Sequence, residues 1–291
     1  MMKYFFVSKP IQYLNAINII DEYDSFLLVS EEFSGSRKFF ENVSNFSKVW
    51  FKTKLFSKRI YALLWLVIKA RGDEIFVDSD YGKDSFLLRL LILLGNSVYT
   101  YEEGVFTYNP DLFLEYESKF PVKIKIFRWF GLKKAMGLTK GLSGTYVYNP
   151  CLYIDKRQDA VGRPFKFKRS FVDNYYYYKD EIDKIFEVPT ALNNIKVDAF
   201  YCGPKHLSDI QSLERFDCKN IMFKPHPGCN ATYDEILDKL GNNSVQIISN
   251  NVPIEVLCLS YLNDYNFTFF HHNCSAEMYL SDVIDDFINL D

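Results

Sequence analysis

Short apolar runs alternate with longer amphipathic stretches through the first part of the chain. Five of these runs predict strands, at Tyr4–Ser8, Ser25–Val29, Lys48–Phe51, Glu74–Val77 and Ser97–Thr100. Stretches with helical spacing lie between them, near Ile11–Asp21, Ser36–Asn42, Lys58–Lys69 and Ser85–Leu93. Because strands that alternate with helices form βαβ units, this part of the chain predicts a parallel sheet with helices on both faces.

The same alternation returns in the C-terminal part of the chain. Strands are predicted within Lys196–Pro204, Asn220–Lys224, Ser244–Ser249 and Asn266–His271. The helices predicted between and after them are Leu207–Phe216, Thr232–Gly241, Pro253–Leu262 and Ser275–Ile288. This pattern indicates a second Rossmann-like unit.

A less regular middle separates the two alternating parts. It contains the basic and aromatic stretch Val122–Lys140 and a helix near Lys179–Phe186, and Thr190–Lys196 is typical of a linker. We therefore expect two domains, residues 1–190 with a basic and aromatic insertion and residues 195–291.

The composition narrows the class of protein. The chain has 291 residues, enough for two ordinary domains, and a formal net charge of −3 that argues against a general nucleic-acid binder. No two of its six cysteines have C-x-x-C spacing, so neither a zinc site nor a redox motif is indicated. The apolar run Tyr4–Val7 is too short for a signal peptide, and we expect a cytoplasmic protein with reduced thiols.

The longest membrane-like run is Ile60–Ile68, and its nine residues fall well short of a transmembrane helix. Such a helix needs about 20 apolar residues. We therefore expect no spanning segment.

The first candidate site follows the strand that ends near Thr100. Adjacent carboxylates at Glu102 and Glu103 repel, so partial burial can raise the pKa of one of them, as a general base requires. The alternative interpretation is a polar turn in which Gly104 adopts a positive φ.

The second candidate site is the segment Lys224-Pro225-His226-Pro227-Gly228. Prolines end a strand because they fix φ and lack an N–H group, so His226 is expected in a loop at a sheet edge. Its imidazole could donate to an anion, and the alternative is a loop histidine held by a backbone carbonyl.

A third candidate site begins at His271-His272-Asn273, where a strand gives way to a helix. Asn273 or Ser275 would cap that helix, and helix N-termini bind phosphate; the alternative is a cap with no ligand. Adjacent histidines on a strand point to opposite faces, so no metal is expected. Glu255, in the first turn of another helix, could accept hydrogen bonds from ribose hydroxyls.

Taken together, these motifs resemble the bacterial sialyltransferases of GT-B fold, most closely the lipooligosaccharide sialyltransferases of glycosyltransferase family 52. Glu102-Glu103-Gly104 matches the acidic-acidic-Gly motif of that family, and His226-Pro227 matches its His-Pro motif. Cys274-Ser275 matches its Ser/Thr motif in part. Cys274 departs from the two hydroxyl residues often found there, so only Ser275 is carried over.

Two further segments share this resemblance. The segment containing Ser8, Pro10 and Gln12 resembles the opening strand and loop of the family. Gly203-Pro204 resembles a Gly-Gln-Pro-like segment that opens the nucleotide domain, although the glutamine is absent.

The resemblance implies a GT-B fold, an α/β architecture in which two Rossmann-like domains face each other across a cleft. It also implies inverting, metal-independent transfer of sialic acid from CMP-sialic acid to a sugar hydroxyl, with no cofactor. The acceptor would be a galactose-containing bacterial surface glycan, such as lipopolysaccharide, O-antigen or capsule, either free or lipid-linked.

By the same resemblance, Glu102 would be the base, with Glu103 as the alternative, and His226 would act on the donor phosphate. The remaining residues divide into a donor-binding set and an acceptor or cleft set. The donor set is Gly203, Lys224, Pro227, Glu255 and Ser275, and the acceptor set is Ser8, Gln12, Glu103 and Gly104.

Two other functions remain open on sequence grounds. The donor could be another CMP-activated nonulosonate, a pseudaminic, legionaminic or Kdo residue, because the nucleotide half would be alike. Alternatively, the chain is a non-catalytic CMP- or glycan-binding protein. This interpretation is based on Cys274, which replaces a hydroxyl residue of the family motif.

The basic stretch suggests one more partner. Lysines and arginines interleaved with aromatic residues predict peripheral contact with the anionic inner face of the cytoplasmic membrane, and the alternative is a solvated surface. The residues are Lys123, Lys125, Phe127, Arg128, Trp129, Phe130, Leu132, Lys133, Lys134 and Lys140, with Lys52, Lys54, Lys58 and Arg59 as possible additions.

Overall fold

The structure of the chain is a computed structural model. It describes residues 1–20, 25–30, 36–51, 57–82, 84–129, 131–188, 197–213, 216, 218–226, 229–241, 244–248, 252–261 and 267–291. These residues form two compact units, Met1–Ser170 and Phe171–Asp291.

A seven-stranded sheet forms the centre of the first unit, and every pair of neighbouring strands in it is parallel. The order across the sheet is β3-β2-β1-β4-β5-β6-β7. The strands are β1 (Lys3–Val7), β2 (Ser25–Ser30), β3 (Ser47–Phe51), β4 (Glu74–Val77), β5 (Ser97–Tyr101), β6 (Gly144–Val147) and β7 (Pro164–Lys166).

Helices connect these strands and cover the sheet. They are α1 (Pro10–Ile17), α2 (Ser36–Asn42), α3 (Lys58–Lys69), α4 (Ser85–Leu93), α5 (Leu114–Lys119), α6 (Pro121–Trp129) and α7 (Pro150–Lys156), with a short 3₁₀ helix at Gly104–Tyr108. The inner faces of α3 and α4 pack on one face of the sheet in a core that includes Leu63, Leu66, Leu88 and Leu91. Burial of both faces explains why the central strands are nearly continuous apolar runs.

The second unit repeats this plan with five parallel strands in the order β10-β9-β8-β11-β12. The strands are β8 (Ala199–Cys202), β9 (Asn220–Lys224), β10 (Ser244–Ile247), β11 (Thr268–His271) and β12 (Phe287–Asn289). Its helices are α8 (Phe171–Tyr177), α9 (Lys179–Phe186), α10 (Tyr233–Leu240), α11 (Ile254–Tyr261) and α12 (Ala276–Leu280). The predicted α/β class with two parallel sheets is therefore confirmed.

Two of the predicted helices in the second unit are wrong. In place of Leu207–Phe216, the described residues form a 3₁₀ helix at Leu207–Asp209, and Ile210 has an extended backbone (ψ 123°) that ends it. Ile210 and Leu213 are nevertheless buried in the core. The apolar spacing that predicted a helix therefore belongs to an irregular segment that buries the same side chains.

The closing helix ends at Leu280 instead of continuing to Ile288, and after a turn Phe287–Asn289 form β12 beside β11. The physical reason is tertiary contact with the rest of the second unit. Ile288 packs on the core, and the Asp286 carbonyl accepts a hydrogen bond of 2.8 Å from the Phe269 N–H. Pairing with a neighbouring strand thus decides the conformation, and local sequence does not reveal it.

The division between the units precedes the predicted boundary. Helices α8 and α9 belong to the second unit, where Phe171 stacks on Tyr279 with ring centroids 4.8 Å apart. The predicted linker Thr190–Lys196 lies outside the described residues. Strands β6 and β7, within the middle that the sequence left irregular, extend the first sheet.

None of the helices in the described ranges is long and apolar enough to cross a membrane.

We predict that Gly144→Ala destabilises the first unit. A Cβ at this position would lie 2.3 Å from the Phe165 ring and 2.5 Å from the Arg163 carbonyl oxygen, so β6 and β7 would have to separate. The free energy of unfolding should fall by about 1–3 kcal/mol in urea denaturation followed by circular dichroism. The adjacent Ser143→Ala is the control, and an unchanged midpoint for Gly144→Ala would contradict this close packing.

Candidate functional site

The polar residues that the sequence singled out lie after strands at the carboxyl edges of the two sheets. In the first sheet the strand order reverses between β1 and β4, and in the second between β8 and β11. Ligands of open α/β sheets bind outside the carboxyl ends of strands at such reversal points. Each unit therefore presents one candidate half-site, and the two are described separately.

A buried glutamine organises the half-site of the first unit. The Gln12 side-chain oxygen accepts hydrogen bonds from the Ser8 N–H at 2.6 Å, the Ser8 hydroxyl at 3.2 Å and the Lys9 N–H at 3.1 Å. Its amide nitrogen donates to Asp78 at 3.3 Å and to Glu103 at 3.4 Å. Gln12 thus joins the loop after β1 to the carboxylates after β4 and β5.

Sequence reasoning missed an arginine–aspartate cluster beside this glutamine. The Arg59 guanidinium donates to Asp78, to Asp84 at 2.6 Å and to the Ser79 carbonyl oxygen. Burial alone would lower the pKa of Arg59, but the two carboxylates outweigh it and raise the pKa. The run Asp78-Ser79-Asp80, directly after the buried strand β4, is the signal that could have revealed these carboxylates.

The location of Arg59 also corrects the predicted basic surface. Its side chain is largely buried between Asp78 and Asp84, so it is not available to an external anion. Lys52 and Lys54 lie outside the described residues.

The two adjacent glutamates have different environments. Glu102 is 0% exposed, and its carboxylate accepts hydrogen bonds from the Tyr108 hydroxyl and, at 2.9 Å, from the Tyr148 N–H. Burial, followed by the charge of Glu102, raises the pKa of Tyr108 above its ordinary value. This environment favours a structural role for Glu102.

Glu103 is half-buried and lies among charged groups. Burial and the charge of Asp78 raise the pKa of its carboxyl group, while Lys9, its ion-pair partner, and Arg59 lower it in part. Tyr81 is a further neighbour that sequence reasoning missed; burial and then the charge of Glu103 raise its pKa to about 12. A carboxylate that is partly accessible and has a raised pKa is suited to accept a proton.

Gly104 allows this turn to form. It has a φ of +62° and begins the 3₁₀ helix, and the Glu103 N–H donates to the Thr107 hydroxyl at 2.7 Å. The positive φ of Gly104 agrees with the alternative interpretation of this motif as a polar turn.

The half-site of the second unit centres on a buried lysine at the end of β9. Lys224 is only 7% exposed, and within the described ranges its ammonium group has neither a hydrogen-bond partner nor an ion pair. Burial lowers the pKa of Lys224, and the nearby Cys202 and Glu255 oppose that shift. A buried ammonium group without a paired carboxylate favours the binding of an anion.

Glu255 and Gly203 border this lysine. Glu255 is half-buried in the first turn of α11, and burial raises its pKa against the charge of Lys224. The Gly203 N–H donates to the Lys224 carbonyl oxygen at 2.9 Å, and a Cβ on Gly203 would lie 2.4 Å from the Phe223 ring. Gly203 therefore permits close approach of the ends of β8 and β9.

His226 follows β9 and is exposed. Partial burial, followed by the charges of Lys205 and Lys224, lowers the pKa of its imidazole. A bound anion would oppose these charges and raise that pKa. Pro227, which the sequence assigned to the same motif, lies outside the described residues.

Ser275 occupies the predicted N-cap position of α12, but its hydroxyl does not cap that five-residue helix. The Cys274 sulfur accepts the Ala276 N–H instead, at 3.2 Å, and the Cys274 N–H donates to the His271 Nδ1 at 3.3 Å. A hydrogen bond with Cys202, followed by burial, raises the pKa of the Cys274 thiol. The cysteine that departs from the hydroxyl motif thus performs the capping role.

The adjacent histidines have separate environments. His271 is buried, whereas His272 bonds to the Tyr201 hydroxyl at 2.9 Å and to Asp291 at 2.7 Å. Across the part of the chain that the structure describes, no group of histidine, cysteine and carboxylate side chains could hold a metal ion.

In the first unit, then, the structure brings Ser8, Gln12 and Glu103 together and separates Glu102 from them. In the second, Lys224 has electrostatic contact with Glu255 and His226. Compared with known proteins, the chain matches no protein-family model and no curated protein sequence.

We predict that Lys224→Met stabilises the protein at neutral pH. Since burial lowers the pKa of Lys224, the unfolded chain binds more protons than the folded chain between that lowered pKa and the ordinary value of 10.5. Stability of the wild type should therefore rise with pH through this window, and the variant should lose that slope. Removing the buried charge should add about 1–3 kcal/mol to the free energy of unfolding below the window.

Urea denaturation at a series of pH values measures both effects. The exposed Lys219, just before β9, provides the control variant Lys219→Met, which should change neither the slope nor the stability. A loss of stability in Lys224→Met would mean that a partner already satisfies its ammonium group.

Proposed function

We propose that the chain is an inverting, metal-independent glycosyltransferase of GT-B type that transfers sialic acid from CMP-sialic acid to a sugar hydroxyl. The observation that carries the proposal is Lys224, a buried ammonium group at a strand end of a Rossmann-like sheet. Such a group suits the phosphate of a nucleotide sugar. The motif resemblance supplies the choice of donor.

The first unit would activate the acceptor, and Glu103 is the proposed base. A hydroxyl of the acceptor sugar attacks the anomeric carbon of the donor, and its proton passes to the Glu103 carboxylate. Partial exposure and a raised pKa support Glu103, and the burial of Glu102 argues against that residue. Gln12 would fix the orientation of Glu103 through its amide N–H.

The second unit would bind the donor. As the bond between the anomeric carbon and the phosphate oxygen breaks, its electron pair remains on CMP, and the phosphate gains negative charge. Lys224 offsets that charge, and the nearby His226 can donate a hydrogen bond to it. Glu255, a half-buried residue near Lys224, is assigned to the ribose hydroxyls.

A non-catalytic CMP-binding protein is the second candidate, and Cys274 is the observation that favours it. Its sulfur replaces a hydroxyl of the family motif and is engaged in capping α12, so one expected phosphate donor is missing. This protein would retain the lysine site but would not turn over a donor.

The test is the release of CMP from CMP-sialic acid, with and without lactose as acceptor. Release that lactose stimulates supports the transferase. Parallel reactions with CMP-activated pseudaminic acid, legionaminic acid and Kdo identify the nonulosonate. Binding of CMP without release would favour the second candidate, and the absence of CMP binding would contradict both.

We predict that Glu103→Gln lowers kcat by about 10²–10⁴-fold, because the variant cannot accept the acceptor proton. Its melting temperature and its affinity for CMP should remain those of the wild type. The matched variant Glu102→Gln should instead lower the free energy of unfolding by about 1–3 kcal/mol, since it disturbs a buried set of hydrogen bonds. A loss of turnover confined to Glu102→Gln would assign the base to Glu102.

We predict that Lys9→Met moves the acidic limb of the pH–rate profile to higher pH. Lys9 lowers the pKa of Glu103, so its removal raises that pKa, and more of the base is protonated at a given acidic pH. The profile of kcat/KM for CMP release measures this shift. Lys3→Met, which removes a lysine paired with Glu74 at 3.7 Å, is the control and should leave the limb in place.

A further inference from the structure

Helix α6 exposes an apolar stripe that the proposed catalysis does not use. Val122, Ile126 and Trp129 are 71%, 49% and 83% exposed. They lie four and three residues apart and so share one face of the helix. Ile124 is the only side chain that α6 buries, and it lies on the opposite face. The stripe therefore points away from the body of the first unit.

The apolar surface continues from α6 onto the turn that joins it to α5. An open groove of about 510 Å³ is lined by Phe120, Pro121, Val122, Lys123, Ile126 and Phe127. Phe120 in this turn and Leu114 at the start of α5 are also exposed. We call the segment Leu114–Trp129 the α5–α6 hairpin.

Positive charge borders this apolar surface. From Phe120 to Lys140 the sequence has no acidic residue. Lys119 and Lys125 are exposed, and within the described ranges neither forms an ion pair. Lys123 donates to the Tyr116 hydroxyl at 2.7 Å and lies 5.8 Å from the centroids of the Phe120 and Phe127 rings. Cations thus flank the stripe at the level of its aromatic side chains.

Helix α4 shows that exposed apolar side chains alone are not the distinguishing feature. Phe86, Leu90 and Leu93 have the same spacing as the α6 stripe and are also exposed, but α4 contains a single basic residue, Arg89. The combination of apolar, aromatic and basic groups is typical of helices that lie in the interface of an anionic bilayer.

We propose that the α5–α6 hairpin docks on the surface of an anionic lipid bilayer. The side chains of Val122, Ile126 and Trp129 would enter the boundary between headgroups and acyl chains, where tryptophan is favoured. Lys119, Lys123 and Lys125 would contact lipid phosphates. The docking is independent of the proposed transferase activity and would bring the protein to membrane-linked substrates.

Sedimentation with vesicles tests the proposal on the full chain. Wild type should pellet with equimolar phosphatidylcholine and phosphatidylglycerol and remain in the supernatant with phosphatidylcholine alone. Val122→Ser/Ile126→Ser/Trp129→Ser should lower the partition coefficient at least about tenfold through lost apolar contact. Lys123→Gln/Lys125→Gln should lower it by a similar factor, and added salt should reproduce that loss.

Two further variants make the outcome specific to the hairpin. Phe86→Ser/Leu90→Ser/Leu93→Ser removes a stripe of the same spacing from α4 and should leave vesicle binding unchanged. Trp129→Phe should still bind, but quenching of tryptophan fluorescence by brominated acyl chains should fall, because the half-buried Trp50 and Trp65 remain the only tryptophans.

Three results would overturn the proposal. The first is equal binding to neutral and anionic vesicles, and the second is an equal loss of binding in the α4 control. The third is a wild type that ignores vesicles but forms a dimer that the hairpin variant loses, which would identify the stripe as a contact between copies of the chain. Circular dichroism of each variant confirms that the fold is intact.

Discussion

The half-site of the first unit depends on one buried side-chain amide, that of Gln12. Its oxygen receives the Ser8 and Lys9 N–H groups, and its nitrogen donates to Asp78 and Glu103. Polar groups removed from water are costly unless they are paired, so these bonds hold the three loops in a fixed arrangement. A carboxylate held in this way can have a raised pKa without losing its position.

The charged groups of the second unit are arranged differently from those of the first. Among the residues that the structure describes, Lys224 is buried and forms no ion pair, and the charge of Glu255 only partly opposes the effect of burial, so we expect the site to be least stable when it is empty and charged. Binding an anion would relieve that cost. The first unit thus stabilises its charged groups internally, through Arg59 and Lys9, whereas the second leaves a positive charge for an external partner.

Sequence alone predicts those features that depend on local burial. Strands β1 to β5 fall within a residue of the predicted bounds, and for the central strands the reason is that a strand buried on both faces must be an apolar run. Strand β12 and the irregular segment after β8 could not be predicted, since pairing with β11 and burial of Ile210 decide their conformation.

The same limit applies to the candidate site. The acidic pair and the lysine after the apolar run of β9 are visible in the sequence, and so are Ser8 and Gln12 in the segment that follows β1. The ion pair of Arg59 with Asp78 joins different elements that only the sheet order brings together. The difference in environment between Glu102 and Glu103 likewise depends on the hydrogen bonds that Glu102 accepts from the Tyr108 hydroxyl and the Tyr148 N–H.

Anchoring of α6 through Ile124 alone has an evolutionary consequence. Most positions on this helix can change without disturbing the interior, so mutation there is subject to selection for surface properties almost alone. Relatives of this chain could therefore diverge rapidly in α6 while the sheet behind it stays the same. A helix with one buried side chain can in this sense change its surface without changing the sheet that supports it.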